Sequence, residues 1–176
     1  MSKTMKKEFF VLEVVNIVSY FNAIKNDETK KAKFAELSPR TYFALKRNIA
    51  TLTPVAKEFE DMRNEFAEKL KQEYFMSEEK SEECVVPQND KNGEPILDEE
   101  GNQVTEAGRK VKDEYYDEFI KAQTELDRKL QEVLMEKNEY QLYVVDLFEE
   151  LDKLPDDTMI DNDDIDILTF MDRGDE

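Results

Sequence analysis

No histidine occurs in the sequence, and Cys84 is its single cysteine. Those two facts remove Ser-His-Asp and Cys-His catalysis, Cys/His zinc sites, thioredoxin-type redox pairs and any internal disulfide. Cys84, followed by Val85 and Val86, reads as a half-buried small residue rather than a nucleophile. Carboxylates are the chemistry that remains. A calcium loop of the EF-hand type needs ligands at alternate positions, Gly at the sixth and a bidentate Glu at the twelfth. Asp90-Lys91-Asn92-Gly93 places its Gly fourth, and the acidic cluster between Asp161 and Asp166 has no Gly. Both fit ordinary turns and helix caps. Acid–base or phosphoryl chemistry would need a pocket that raises one carboxylate pKa, whereas nearly all acids here fall in loops or on polar helix faces. The chain therefore reads as a non-enzyme, with no catalytic, metal-binding or cofactor-binding residue.

What is left is recognition. Arg40, Lys46 and Arg47, with Lys33, form a candidate basic patch. The plainer alternative, which the residues favour, is a solvated helix face or an internal counter-charge for the acidic C-terminal segment. Tyr42-Phe43 and Tyr115-Tyr116 are adjacent pairs, so both members of a pair cannot face one helix seam. The acidic counterpart is the cluster of Asp161, Asp163 and Asp164. The candidate partner-binding set is thus Arg40, Tyr42, Lys46, Arg47, Tyr115, Asp161, Asp163 and Asp164.

Charge is distributed unevenly. The net charge is −18. Residues 1–50 carry ten basic and five acidic residues, whereas residues 51–176 carry fifteen and thirty-eight. An acidic body repels phosphates, so direct nucleic-acid binding is not expected. A protein partner is expected instead, with a nucleic-acid-binding protein as one candidate. A second copy of the chain is a further candidate, with Arg63 and Gln123 setting register. Lys3, Lys6 and Lys7 precede an apolar stretch over residues 9–18, but Glu13 and Asn16 interrupt it and no small-residue cleavage site follows. It is also too short to span a bilayer. The expectation is a cytoplasmic protein without membrane contact.

Periodicity predicts the elements that must hold these residues. Residues 8–25 read as a strand start passing into an amphipathic helix through Val14, Ile17, Val18, Phe21 and Ile24. Asn26-Asp27-Glu28 ends it, and Lys30, Lys31 and Lys33 mark a solvated connector. Ser38-Pro39 starts a long helix over 38–76, since Ser caps and Pro suits the first helical position. Leu45, Ile49, Leu52, Ala56, Phe59, Phe66 and Leu70 form its stripe, and Pro54 predicts a break or kink near residues 50–51. Residues 77–107 lose the helical period and carry two turn signals, at 89–93 and 99–102, between short extended stretches. The period resumes over 108–138 through Tyr116, Phe119, Leu126, Leu130 and Val133. Residues 139–171 then read as a short strand, able to pair near residues 9–12, followed by two short helices with residues 158–160 as a strand-like bridge between them, and 172–176 as an acidic tail. The fold class this predicts is a single, mainly α domain: a long antiparallel helical hairpin, a small β insert at its tip, and both chain ends packed at its base.

Residues 44–64, ALKRNIATLTPVAKEFEDMRN, carry a likeness. Asn48, Leu52, Pro54, Glu60 and Arg63, together with the Asp-x-Asn-Gly insert and the closing LDKLPDDTMIDNDDIDIL segment, resemble small bacteriophage and prophage proteins of unknown function with a prefoldin-like helical hairpin. The resemblance implies a phage-associated, non-enzymatic protein of the bacterial host cytoplasm or the virion, acting as an adaptor or assembly protein with a phage assembly component as its partner, and it transfers no catalytic residue. The alternative function is an acidic nucleic-acid mimic that inhibits a host defence nuclease, in the manner of an anti-CRISPR.

Overall fold

The computed structural model describes residues 3–27, 30 and 32–174. Glu28, Lys31 and the tail residues Asp175 and Glu176, which the sequence reading used, lie outside the described residues. The element order is strand β1 (Lys3–Phe10), helix α1 (Val11–Asn26), a 3-10 turn (Lys33–Glu36), helix α2 (Pro39–Leu70), a π-helical turn (Lys71–Phe75), strands β2 (Ser81–Pro87) and β3 (Thr105–Val111), helix α3 (Asp113–Leu134), strand β4 (Lys137–Val144), helices α4 (Leu147–Leu151) and α5 (Asn162–Leu168), and a 3-10 turn (Thr169–Met171). Two compact units divide the chain. One comprises Met1–Asp61 with Gln131–Glu176, the other Met62–Leu130.

The first unit holds the apolar core. β1 and β4 pair antiparallel, with Lys3 opposite Val144, Lys7 opposite Tyr140 and Phe10 opposite Lys137. Tyr140, Leu142 and Val144 point to the buried face, as the two-residue period of a half-covered sheet requires. α1 follows β1 without a loop. Its start is fixed by Glu13, whose carboxylate accepts from the Phe10 N–H at 2.7 Å, and it buries Val11, Val14, Ile17, Val18, Phe21 and Ile24. Phe21 meets Phe34 at 5.1 Å and Phe170 at 6.4 Å between ring centroids. The C-terminal segment docks beside the end of β4. The Val145 N–H donates to the Met171 carbonyl at 3.0 Å, and the Arg173 N–H donates to the Val145 carbonyl at 2.7 Å.

In the second unit, β2 and β3 pair antiparallel from Ser81 opposite Val111 to Pro87 opposite Thr105. Beyond them, Gln88, Ile96 and Val104 close a ring of backbone hydrogen bonds, each N–H donating to the next carbonyl at 2.7–3.0 Å. The three residues are eight apart, and the two turns between them are built alike. Asp90 accepts from the Asn92 and Glu94 N–H groups, Asp98 from those of Glu100 and Asn102. Gly93 and Gly101 supply the positive φ (85° and 84°) that each turn needs.

This arrangement corrects the expected architecture. A long helical hairpin requires two apolar stripes that bury each other, and α3 buries none of its residues. Leu126, Leu130 and Val133 remain half-exposed and Tyr116 is 53 % exposed. In α2 the buried positions end at Phe59. Buried apolar residues collect instead on α1, β4, the first half of α2 and the C-terminal segment, so the core forms there, and each unit has its own two-stranded sheet. Three local expectations also change. α2 runs unbroken through Pro54; near the missing donor, the Thr51 and Thr53 hydroxyls bond back to the Arg47 and Ile49 carbonyls at 3.1 and 2.7 Å. β1 begins at Lys3 rather than near Phe9, because Met5, Lys7 and Phe9 alternate inward across from β4. Residues 158–160 form no strand; the Glu36 carboxylate holds them by accepting from the Thr158 hydroxyl and from the Met159 N–H.

Candidate interaction surface

The first half of α2 presents the clearest recognition surface in the first unit. Ser38 caps it, its hydroxyl accepting from the Thr41 N–H at 3.3 Å. Helical spacing buries Thr41, Ala44, Leu45, Asn48 and Leu52, and turns Arg40, Phe43, Lys46 and Arg47 outward. Asn48 fixes the helix to the sheet. Its amide nitrogen donates to the Tyr143 carbonyl and its amide oxygen accepts from the Tyr143 N–H, both at 2.8 Å. A buried side chain thus satisfies both backbone groups of Tyr143 on the edge of β4 that β1 leaves open. The same clamp brings the Phe43 ring edge-on to the Tyr143 ring at 6.2 Å.

Two cations then lie over two rings, each one helical turn on. The Lys46 ammonium is 5.1 Å from the Tyr42 ring centre and the Arg47 guanidinium 5.2 Å from that of Phe43. Stacking orders both long side chains without neutralising them. No acidic residue occurs between Glu36 and Glu58, so this stretch of helix supplies no counter-charge of its own to the two cations.

The other candidates go elsewhere. Arg40 lines a cavity of about 140 Å³ with Lys3, Asp146, Glu149, Glu150, Lys153 and Arg173, where it faces the carboxylates of α4. Lys33 is buried rather than part of a solvated connector. Its ammonium donates to Asp161 at 2.7 Å and contacts Asp164, which is fully buried and also accepts from the Tyr20 hydroxyl at 2.5 Å. Asp161 and Asp164 close a capping box at the start of α5, with bonds of 2.8 and 3.1 Å. The Lys33 hydrogen bond, with the Asp164 N–H, holds the Asp161 carboxyl down at about 2. Burial opposes the charge on Lys33, yet the two aspartates outweigh it and raise its pKa. Burial, then the bond to Asp164, pushes the Tyr20 hydroxyl well up. Asp163 is exposed beside this cluster. Tyr115 belongs to the second unit, where its hydroxyl donates to Glu79 at 3.2 Å.

Sequence reasoning missed Asn48 as an anchor and Tyr20 as a partner of the acidic segment. A polar residue at a core position of the α2 stripe was the available signal for Asn48; Tyr20 had none. Among the described residues no group of three or more His, Cys, Asp or Glu side chains is placed to hold a metal ion, and no helix is long and apolar enough to cross a membrane. No family model, curated protein or solved structure matches the chain.

Proposed function

We propose that this chain is a non-enzymatic, phage-type adaptor or assembly protein of the bacterial host cytoplasm, which captures an acidic segment of a protein partner on the first half of α2. The observation that carries this reading is the pair of aromatic-backed cations, Lys46 on Tyr42 and Arg47 on Phe43, exposed on a stretch of helix that carries no acid of its own. Ordered but unneutralised cations meet a carboxylate with less conformational loss than free lysines. The likeness of residues 44–64 to phage proteins supports the origin. The test is affinity purification from infected or prophage-bearing cells, using the wild-type chain and Lys46→Glu/Arg47→Glu. Loss of one identified acidic partner in the double variant, with an unchanged circular dichroism spectrum, is the expected result. Equal recovery by both proteins removes this surface from the function.

A second reading is the acidic nucleic-acid mimic, favoured by the exposed carboxylates Asp113, Glu114, Asp117, Glu125 and Asp127 along α3. A mimic binds a basic nuclease tightly at low ionic strength, competes with nucleic acid and loses affinity steeply as salt rises. Binding that salt does not weaken, or that nucleic acid does not displace, excludes it.

A further inference from the structure

In the second unit, the turn from α2 to β2 is wound as a π-helix over Lys71–Phe75. Such single turns recur at functional sites. Arg109, on β3, reaches this turn. Its Nε donates to the Phe75 carbonyl and the Ser81 hydroxyl, both at 2.9 Å, and its Nη2 lies 3.4 Å from the Ser81 carbonyl. Every one of those acceptors is neutral. Among the described residues no carboxylate pairs with this guanidinium, and its Nη1 has no partner. That is unusual in a chain with 43 acidic residues, because a half-buried cation without a counter-ion has lost hydration for no electrostatic return.

Beside the guanidinium lies a cleft of about 510 Å³ lined by Ala67, Leu70, Lys71, Phe75, Arg109 and Phe119. The Phe75 and Phe119 rings stand perpendicular, with centroids 5.5 Å apart, and both line the cleft as its aromatic surface. Lys71 stands at the rim, with its ammonium 3.9 Å from Glu68.

We propose that this cleft binds an amphipathic monocarboxylate: a small molecule with an alkyl or aryl body and one terminal carboxylate. The body covers Leu70, Phe75 and Phe119, and the carboxylate takes the free N–H groups of Nη1 and Nη2 on Arg109. A guanidinium fork matches a carboxylate in two parallel hydrogen bonds. The cleft volume falls within the range of small-molecule sites. Apart from the two cations the lining is apolar, with no side-chain acceptor for the N–H groups of a peptide. The guest is therefore a small molecule rather than a chain terminus, and the cleft belongs to the second unit, whereas the recognition surface lies on the first half of α2 in the first.

The test titrates the full chain with 3-phenylpropanoate, 3-phenylpropan-1-ol and N-acetyl-Gly-Gly-Phe, followed by calorimetry and amide NMR. The carboxylate is expected to bind saturably, at least tenfold tighter than the alcohol, with shifts at residues 70–75, 109 and 119. Arg109→Gln should lose at least tenfold. Since Arg109 also braces the turn, Ala67→Glu supplies the independent arm: it adds a carboxylate to the cleft at an exposed helical position and should abolish binding while leaving helicity unchanged. An alcohol that binds equally well, shifts that never saturate, or unchanged affinity in Ala67→Glu overturns the proposal. Tighter binding of the peptide also overturns it, by assigning the cleft to chain termini.

Discussion

The two units differ in what their polar contacts lie against. In the first, buried and half-buried side chains join segments far apart in sequence: Asn48 to Tyr143, Lys33 and Tyr20 to Asp164, Glu36 to Thr158. In the second, Asp90 and Asp98 bond to backbone two to four residues away, and longer contacts such as Arg109 to Phe75 and Tyr74 to Glu118 occur where, among the described residues, only Tyr74, Ser81 and Val111 are buried. Both units are rich in charge, so composition does not separate them. What separates them is whether the long-range polar contacts stand on an extended apolar core. Contacts on such a core form only with the whole unit, whereas the Asp90 and Asp98 turns survive local opening.

The largest predicted contrast uses leucines. Leu142 is fully buried in the first unit, and Leu142→Ala should cost about 3–4 kcal/mol by chemical denaturation, since it leaves a cavity that the packed core cannot close. Leu126 on α3 is half-exposed, and Leu126→Ala should cost about 1 kcal/mol. Equal losses would show that the second unit owns a core as dense as that of the first, and would erase the distinction.

Next in size is the buried cluster. Lys33→Met leaves the fully buried Asp164 carboxylate without its cation, which should cost about 3 kcal/mol, the lower end for a broken buried pair because Asp161 is open to solvent. The loss should appear as early hydrogen exchange in α5, with β2 and β3 unaffected. Asn48→Ala follows at about 2 kcal/mol, since it strands the Tyr143 N–H and carbonyl against a helix that excludes water. Asn48→Asp keeps the acceptor and loses the donor, so it should lie between wild type and alanine only at low pH, where the carboxyl can donate. A variant as stable at pH 7 as wild type would remove the amide clamp from the account.

Local order was legible in the sequence where one residue dictates it. Ser38-Pro39 marks the start of α2, Asn92-Gly93 and Glu100-Gly101 mark tight turns, and the spacing of Val14, Ile17, Val18, Phe21 and Ile24 gives the buried face of α1. Long-range choices were not. The stripe on α3 has helical spacing, but spacing does not say how fully a partner covers it, and α3 buries none of its residues even where Phe119 meets Tyr74 and Phe75. Pro54 predicts a break by its missing donor, yet nothing in the sequence shows that the surrounding helix is anchored firmly enough to run through it. The candidate cations were chosen by type alone. Lys33 and Lys46 look alike in sequence, and only the fold sends one beneath α5 and leaves the other stacked on Tyr42.

The smallest predicted effect is the acid response, which distinguishes the two uses of aspartate. Asp161 has a folded pKa of about 2, below the ordinary carboxylate value, owing first to Lys33 and then to the Asp164 N–H. A depressed carboxylate stabilises the fold fully above its unfolded pKa, and that contribution is lost as pH falls through the folded value. The first unit should therefore weaken between about pH 4 and pH 2. Asp161→Asn, which retains an acceptor for the cap but no charge for Lys33, should flatten that limb and lower stability at pH 7. Asp98 is also depressed, but by the Asn102 N–H first and by no cation. Asp98→Asn keeps the oxygen that those N–H groups need and suits the same turn, so it should flatten the acid response of the second unit with a smaller loss at pH 7 than Asp161→Asn shows. If both substitutions cost the same at neutral pH, the charge on Asp161 does no more than an oxygen would, and the latch on α5 is held by Asp164 and Tyr20 alone.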